Sequence, residues 1–100
     1  QFTNGGLVLL PRTLEALSLK GCNQITDTGL ENIKDLQLQE LNISACNKVT
    51  DRGLGHLWKM PLKRLNFVAS GHRISDAALA QFPQSVVILH QRAINRLGHT

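Results

Sequence analysis

The feature that most constrains this chain is a spacing of 24 residues between equivalent apolar positions. The first column of such positions contains Leu14, Leu38, Leu62 and Val86. The second lies three residues later and contains Leu17, Leu41, Leu65 and Leu89; the third contains Leu19, Ile43 and Phe67. A single helix repeats every 3.6 residues and a single strand every two, so the long period indicates stacked supersecondary units.

A second block of sequence closes each unit. It reads ITDTGLENI at 25–33, VTDRGLGHL at 49–57 and ISDAALAQF at 74–82, the last one residue late, with a shorter return to Val86. The Thr-Asp pair predicts a helix N-cap, and Leu30 and Ile33 predict the buried side of a two-turn helix. Residues 2–10, FTNGGLVLL, repeat this block without a strand block before it. Each unit is therefore predicted to form one short strand and one short helix.

These blocks define a single domain over residues 1–100. We expect a half repeat at 1–13, repeats at 14–37, 38–61 and 62–85, and a terminal half repeat at 86–100. The chain starts with Gln1 rather than Met, which favours a fragment or a subunit of a larger assembly. Gln91 and Ile94 replace an apolar and a thiol position in the last copy, so we expect the regular strand ladder to stop at the fourth strand.

The units resemble the cysteine-containing class of leucine-rich repeats, which is typical of F-box/leucine-rich-repeat proteins. The match is LEALSLKGCNQITDTGLENI at 14–33 and LQELNISACNKVTDRGLGHL at 38–57, with a weaker third copy at 62–82. In that third copy Ser70 replaces the cysteine and Ala78 replaces the glycine, and no F-box segment is visible. The resemblance implies an α/β fold, a right-handed leucine-rich-repeat solenoid of about three and a half repeats with a short parallel sheet on its concave face.

No group of residues predicts catalysis, a cofactor or a metal site. The sequence contains no HExxH, no GxSxG and no lysine placed as in a phosphate-binding loop. Cys22 and Cys46 are interpreted as structural thiols at the bend after each strand, with a disulfide or a metal site as alternatives. The four histidines are predicted at the surface: His56, His72, His90 and His99. Trp58 is predicted to shield the gap between the second and third helices, with a contact on the convex side as the alternative.

The solvent-facing positions between the inward leucines predict the functional surface. In solenoids this concave stripe is the usual docking surface, so we predict a non-catalytic module that binds a protein partner rather than a small molecule. The candidate partner-binding residues are Lys20, Glu40, Asn42, Lys63, Arg64, Asn66, His90 and Arg92. The stripe between the inward apolar positions also contains Ala16, Ser18, Ser44, Val87 and Ile88.

Charge is unevenly distributed and bears on the kind of partner. Residues 1–50 carry four basic and five acidic side chains, whereas residues 51–100 carry seven basic and two acidic ones. The basic second half favours a partner with an acidic surface, and the alternative is a scaffold associated with nucleic acid or a ribonucleoprotein. No apolar run could span a membrane and no signal peptide is visible, so we expect an intracellular location: cytoplasm, nucleus or organelle.

Overall fold

The computed structural model describes residues 2–68 and 74–89 and places strands and helices in strict alternation. A 3₁₀ helix at Gly6–Leu9 comes first. The strands are β1 (Ala16–Ser18), β2 (Glu40–Asn42), β3 (Arg64–Asn66) and β4 (Val87–Leu89). The helices between them are α1 (Asp27–Asn32), α2 (Asp51–Gly55) and α3 (Asp76–Ala80). The predicted second blocks are thus helical, although each helix is shorter than the two turns expected.

The four strands form one parallel sheet in the order β1-β2-β3-β4. Leu17 pairs with Leu41 and Leu41 pairs with Leu65, so the 24-residue spacing is the register of the first three strands. Sequential parallel neighbours with a helix between each pair fit the α/β leucine-rich-repeat fold. The described residues extend over 42 × 25 × 19 Å.

The core lies between the sheet and the helices. Leu19, Ile43 and Phe67 form its strand-side column and are at most 1% exposed. Leu30 and Ile33 close it from the helix side with no exposed surface, as predicted. Burying one such side chain contributes roughly 2 kcal/mol to the stability of the fold. A strand of three residues is too short to bury these side chains without neighbouring strands and helices. Stability therefore comes from the stacking of neighbouring units.

The fourth strand corrects the predicted spacing. Ile88, not Leu89, pairs with Leu65, and Leu89 pairs with Asn66. The step from β3 to β4 is therefore one residue shorter than the steps before it. Ile88 consequently belongs to the inward column and packs against the core, so its prediction as a solvent-facing residue was wrong. The alignment on Val86 assumed that the chain between the third helical block and β4 is one residue shorter than in the earlier units. The observed pairing shortens this segment by one residue more.

The starts of α1 and α2 are held by the preceding unit. Oδ1 of Asn4 accepts a hydrogen bond from the Thr26 backbone N–H at 3.0 Å, and Oδ1 of Asp27 accepts from that of Thr50 at 2.7 Å. The Thr50 hydroxyl also donates to Asp27. Each Thr-Asp pair was predicted to cap its own helix. Thr26 does accept from Thr28 N–H, but Thr50 makes no side-chain cap to its own helix.

The third unit uses the same arrangement with one change. Oδ1 of Asp51 accepts from the Ser75 backbone N–H at 2.7 Å. The Ser75 hydroxyl accepts from Ala78 N–H at 3.1 Å and caps its own helix. An acidic or amide side chain in one unit therefore satisfies a backbone donor of the next, three times in succession. We call this series the cap ladder.

The bend after each strand holds the two cysteines. The Cys46 thiol has no exposed surface and donates to the Leu19 carbonyl of the preceding unit, with Sγ and O 3.0 Å apart. Burial raises the pKa of the Cys46 thiol to about 11; a hydrogen bond from the Cys22 backbone lowers it, and its charge interaction with Cys22 raises it. Both cysteines are free and buried, which agrees with the interpretation as structural thiols.

Candidate functional site

One row of side chains crosses the sheet at right angles to the strands. Its members pair in register from strand to strand and are all exposed: Ala16, Glu40, Arg64 and Val87. We call this set the central row. Neighbouring strands lie about 4.8 Å apart, so the row offers a small side chain, a carboxylate, a guanidinium and an apolar group at that interval. The alternation of a strand places these side chains on the face opposite the core.

Three members of the central row, Ala16, Glu40 and Arg64, line a shallow groove of about 300 Å³ on the sheet, and Val87 continues the row beyond it. We call it the sheet groove. Its lining consists of Ala16, Leu17, Ser18, Glu40, Leu41, Asn42, Arg64 and Asn66. Four predicted partner-binding residues thus meet in one place, and Ala16, Leu17, Ser18 and Leu41 join them. Leu17 was assigned wholly to the core, yet it is half-buried, because β1 lies at the edge of the sheet.

The two charged residues of the row stand side by side. Glu40 on β2 pairs with Arg64 on β3, and both side chains are exposed. Within residues 2–68 and 74–89, neither makes an ion pair at 4.0 Å or less. Even where two exposed charges do form an ion pair, the pair stabilises a fold by no more than about 1 kcal/mol. The fold therefore does not depend on Glu40 and Arg64. Both charges remain accessible to a partner.

The asparagines of the groove have a structural task. Oδ1 of Asn42 accepts from Ser44 N–H at 2.9 Å, and Oδ1 of Asn66 accepts from Val68 N–H at 3.3 Å. Each side chain therefore fixes the turn that follows its strand. The Ser44 hydroxyl donates to Asn66 Oδ1 at 2.6 Å and links the two turns. Ser44 is buried, so its prediction as a solvent-facing residue was wrong.

The remaining predicted residues lie around or outside the groove. Lys20 follows β1 and Lys63 precedes β3; both are exposed and neither lines the groove. His90 and Arg92, together with Gln91 and Ile94, fall outside the described residues, as do His72 and His99. His56 is half-buried beside α2 rather than fully exposed. Ala16 and Ser18 were placed in the predicted stripe but were not among the candidate partner-binding residues, because their small side chains carry no charge.

Trp58 lies outside the sheet groove. Trp58 is half-buried and packs against the core, and its Nε1 has no hydrogen-bond partner in the part of the chain that the structure describes. Its place between the second and third helices stays a prediction. Across the described ranges, no group of three or more His, Cys, Asp or Glu side chains could hold a metal ion. Among the same residues, no helix is long and apolar enough to cross a membrane.

Comparison with known families finds one match, in two segments. Residues 11–34 and 37–57 match the family described as Leucine Rich repeat. These segments contain β1 with α1 and β2 with α2, that is, two complete strand-helix units. A search of curated proteins finds no significant match. Repeats of this family generally serve as non-catalytic modules that bind other proteins, and the matched segments support a leucine-rich-repeat protein.

Proposed function

We propose that this chain binds a protein partner through the sheet groove. The observation that supports the proposal most directly is the pair Glu40 and Arg64, two exposed opposite charges side by side on a sheet face that form no ion pair with any described residue. Fixed charges of both signs favour a partner whose own charges are arranged to match them. A nucleic-acid backbone carries negative charge only, so Glu40 would repel it while Arg64 attracts it.

The larger context is a further part of this proposal. The resemblance of the repeat units to those of F-box/leucine-rich-repeat proteins favours a substrate-binding segment of a ubiquitin-ligase receptor. The repeats would then hold the protein to be modified, while another segment or subunit recruits the ligase. Two buried free thiols suit a reducing compartment, and an intracellular location is proposed on that ground.

A photo-crosslinking experiment tests which face makes the contact. Ala16 is exposed in the sheet groove and small, so replacing it with benzoylphenylalanine should leave the core intact. Lys34 is exposed just beyond α1 and serves as the control position on the helix side. Irradiation in cells should give discrete adducts from position 16, and mass spectrometry identifies the partner. Equal adducts from position 34, or none from position 16, would contradict the proposal.

A charge reversal then tests the groove's contribution to affinity. With the partner so identified, Arg64→Glu should weaken binding at least tenfold, equivalent to about 1.4 kcal/mol, without changing the melting temperature. Lys34→Glu is the matched reversal outside the groove and should bind like the unaltered protein. If the Arg64 variant also binds normally, the groove is not the binding surface. A steep loss of affinity with salt and capture of nucleic acid would favour the alternative class of partner.

A further inference from the structure

We infer that the groove's occupant is a single α-helix lying across the strands, with a basic and an acidic residue on adjacent turns flanked by apolar residues. This inference rests on the proposed function and adds the shape and chemistry of the partner. It is carried by the order of the central row, in which Glu40 and Arg64 lie between the apolar Ala16 and Val87. Val87 is 52% exposed, so the apolar end of the row is accessible.

The spacing of the row selects a helix over an extended peptide. Its members lie about 4.8 Å apart. Along a helix, residues three or four apart share one side and are separated by roughly 4.5 or 6 Å of axial rise, which bracket that step. Same-side residues of an extended strand are about 6.6 Å apart, so a strand laid along the row falls out of step by nearly 2 Å at each position.

The dimensions of the sheet agree with this choice. Each strand has three residues and is therefore about 10 Å long, close to the 10–12 Å diameter of a helix with its side chains. Four strands span about 14 Å from first to last, which a helix covers with roughly ten residues. One helix of three turns therefore fills the face. Two helices side by side would extend past the strand ends.

The charges determine the residues such a helix must carry. A lysine or arginine opposite Glu40 and, one turn on, a glutamate or aspartate opposite Arg64 would satisfy both groups at once. A leucine one turn beyond the acidic residue would contact Val87, and a leucine on the other side of the basic residue would occupy the space beside Ala16. The recognition pattern is thus apolar, basic, acidic, apolar at successive steps of three or four residues along one helix side.

The test uses synthetic peptides as probes, with fluorescence anisotropy as the readout. Each peptide has about 18 residues and is stapled on the opposite side to hold the helix, because short helices are marginal in water. The first carries Leu, Lys, Glu and Leu on one side. Its isomer has the same composition with Lys and Glu moved to the opposite side, and a third peptide has a central proline and no staple. The first should bind at least fivefold more tightly than either.

Protein variants test whether Glu40 and Arg64 determine which charges the peptide must carry. Glu40→Lys should shift the preference to a peptide with two glutamates, and Arg64→Glu should shift it to one with two lysines. Glu31→Lys, an exposed change on α1, should alter no preference. Equal binding of the isomer or of the proline peptide, absence of the two shifts, or no binding at millimolar peptide overturns the inference. If position 16 still crosslinks to a partner, the proposed function survives that failure; if it does not, both are wrong.

Discussion

Asp27 of the first unit holds the backbone of Thr50 in the second, with the Thr50 N–H 2.7 Å from Oδ1. The neutral equivalent, Asn4, makes the same bond to Thr26 and in addition donates from Nδ2 to the Thr26 hydroxyl at 2.8 Å. The carboxylate and the amide therefore serve the same purpose, and the threonine hydroxyl reverses its role to suit each. The cap ladder joins consecutive units through polar groups at the edge of the apolar core.

Removing this carboxylate should cost measurable stability. Asp27→Ala leaves the Thr50 N–H without its acceptor, and we expect a loss of about 1–2 kcal/mol in the free energy of unfolding by urea. Asp27→Asn should retain most of this stability, because an asparagine at the equivalent position, Asn4, accepts the same backbone hydrogen bond from Thr26. Asp35→Ala, at an exposed position, should change stability by less than about 0.5 kcal/mol. An equal effect of the Asp27 and Asp35 changes would contradict a specific role for the cap ladder.

Gly53 is predicted to resist a substitution that normally favours helices. A Cβ on Gly53 would collide with Oδ1 of Asp27 and come within 3.1 Å of Leu30 Cδ1. Gly53→Ala should therefore destabilise the fold, although alanine in a helix is favoured by about 1 kcal/mol over glycine. Gly55→Ala is the control in the same helix: its Cβ would meet nothing closer than 3.7 Å, so it should stabilise.

The third unit supplies a natural comparison for this prediction. Ala78 occupies the position of Gly53, and there Asp51 accepts from the Ser75 backbone but, among the described residues, not from the Ser75 hydroxyl. In a double variant with Asp27→Ala, Gly53→Ala should therefore be less damaging than in the unaltered protein. Thermal unfolding of the four proteins measures this coupling. If the two losses simply add, the side chain of Asp27 does not impose the glycine.

Ala45 is strained, and relieving the strain should stabilise the protein. Its φ is 61°, in the left-handed region, whereas the equivalent bend in the first unit has Gly21 at φ 74°. Ala45→Gly should raise the free energy of unfolding by about 1 kcal/mol, since that conformation is costly for a residue with a Cβ. Gly21→Ala should have the opposite sign, because a Cβ there meets no atom within 4 Å and only the backbone penalty remains. Equal signs for the two variants would contradict this account.

The Cys46 thiol predicts a loss of stability in alkali. Because its folded-state pKa is about 11, above the ordinary value of 9.0, the unfolded chain releases this proton first as the pH rises. Its contribution is intact below pH 9 and is lost between pH 9 and about 11, on the order of 2 kcal/mol in all. Cys46→Ser lacks the titration and should show a shallower decline in urea unfolding over that range. Identical profiles for the two proteins would show that the thiol does not titrate as described.

Much of the fold follows from local sequence pattern. The columns of Leu17 and Leu19 and the Thr-Asp blocks predicted each strand and each helix, because apolar periodicity and capping chemistry act within a few residues. The failures lie where two units meet. Ile88 rather than Leu89 enters the inward column, because the late third block changes the length of chain available to reach the sheet. Ser44 is buried and donates a hydrogen bond to Asn66 on the next unit, a contact that the sequence of its own unit does not reveal.

The candidate site divides in the same way. The sequence by itself determined that Glu40 and Arg64 are exposed on a strand, because alternation beside an inward leucine depends only on neighbouring residues. The 24-residue spacing also predicted them on neighbouring strands, and only the tertiary structure decided that they stand there without an ion pair to each other. It also decided that Asn42 is occupied by its own turn and that Asp27 caps the following unit. These relationships depend on the strand register and on the distance between separate units. Both are established when the units stack, and neither can be read from the sequence of one unit.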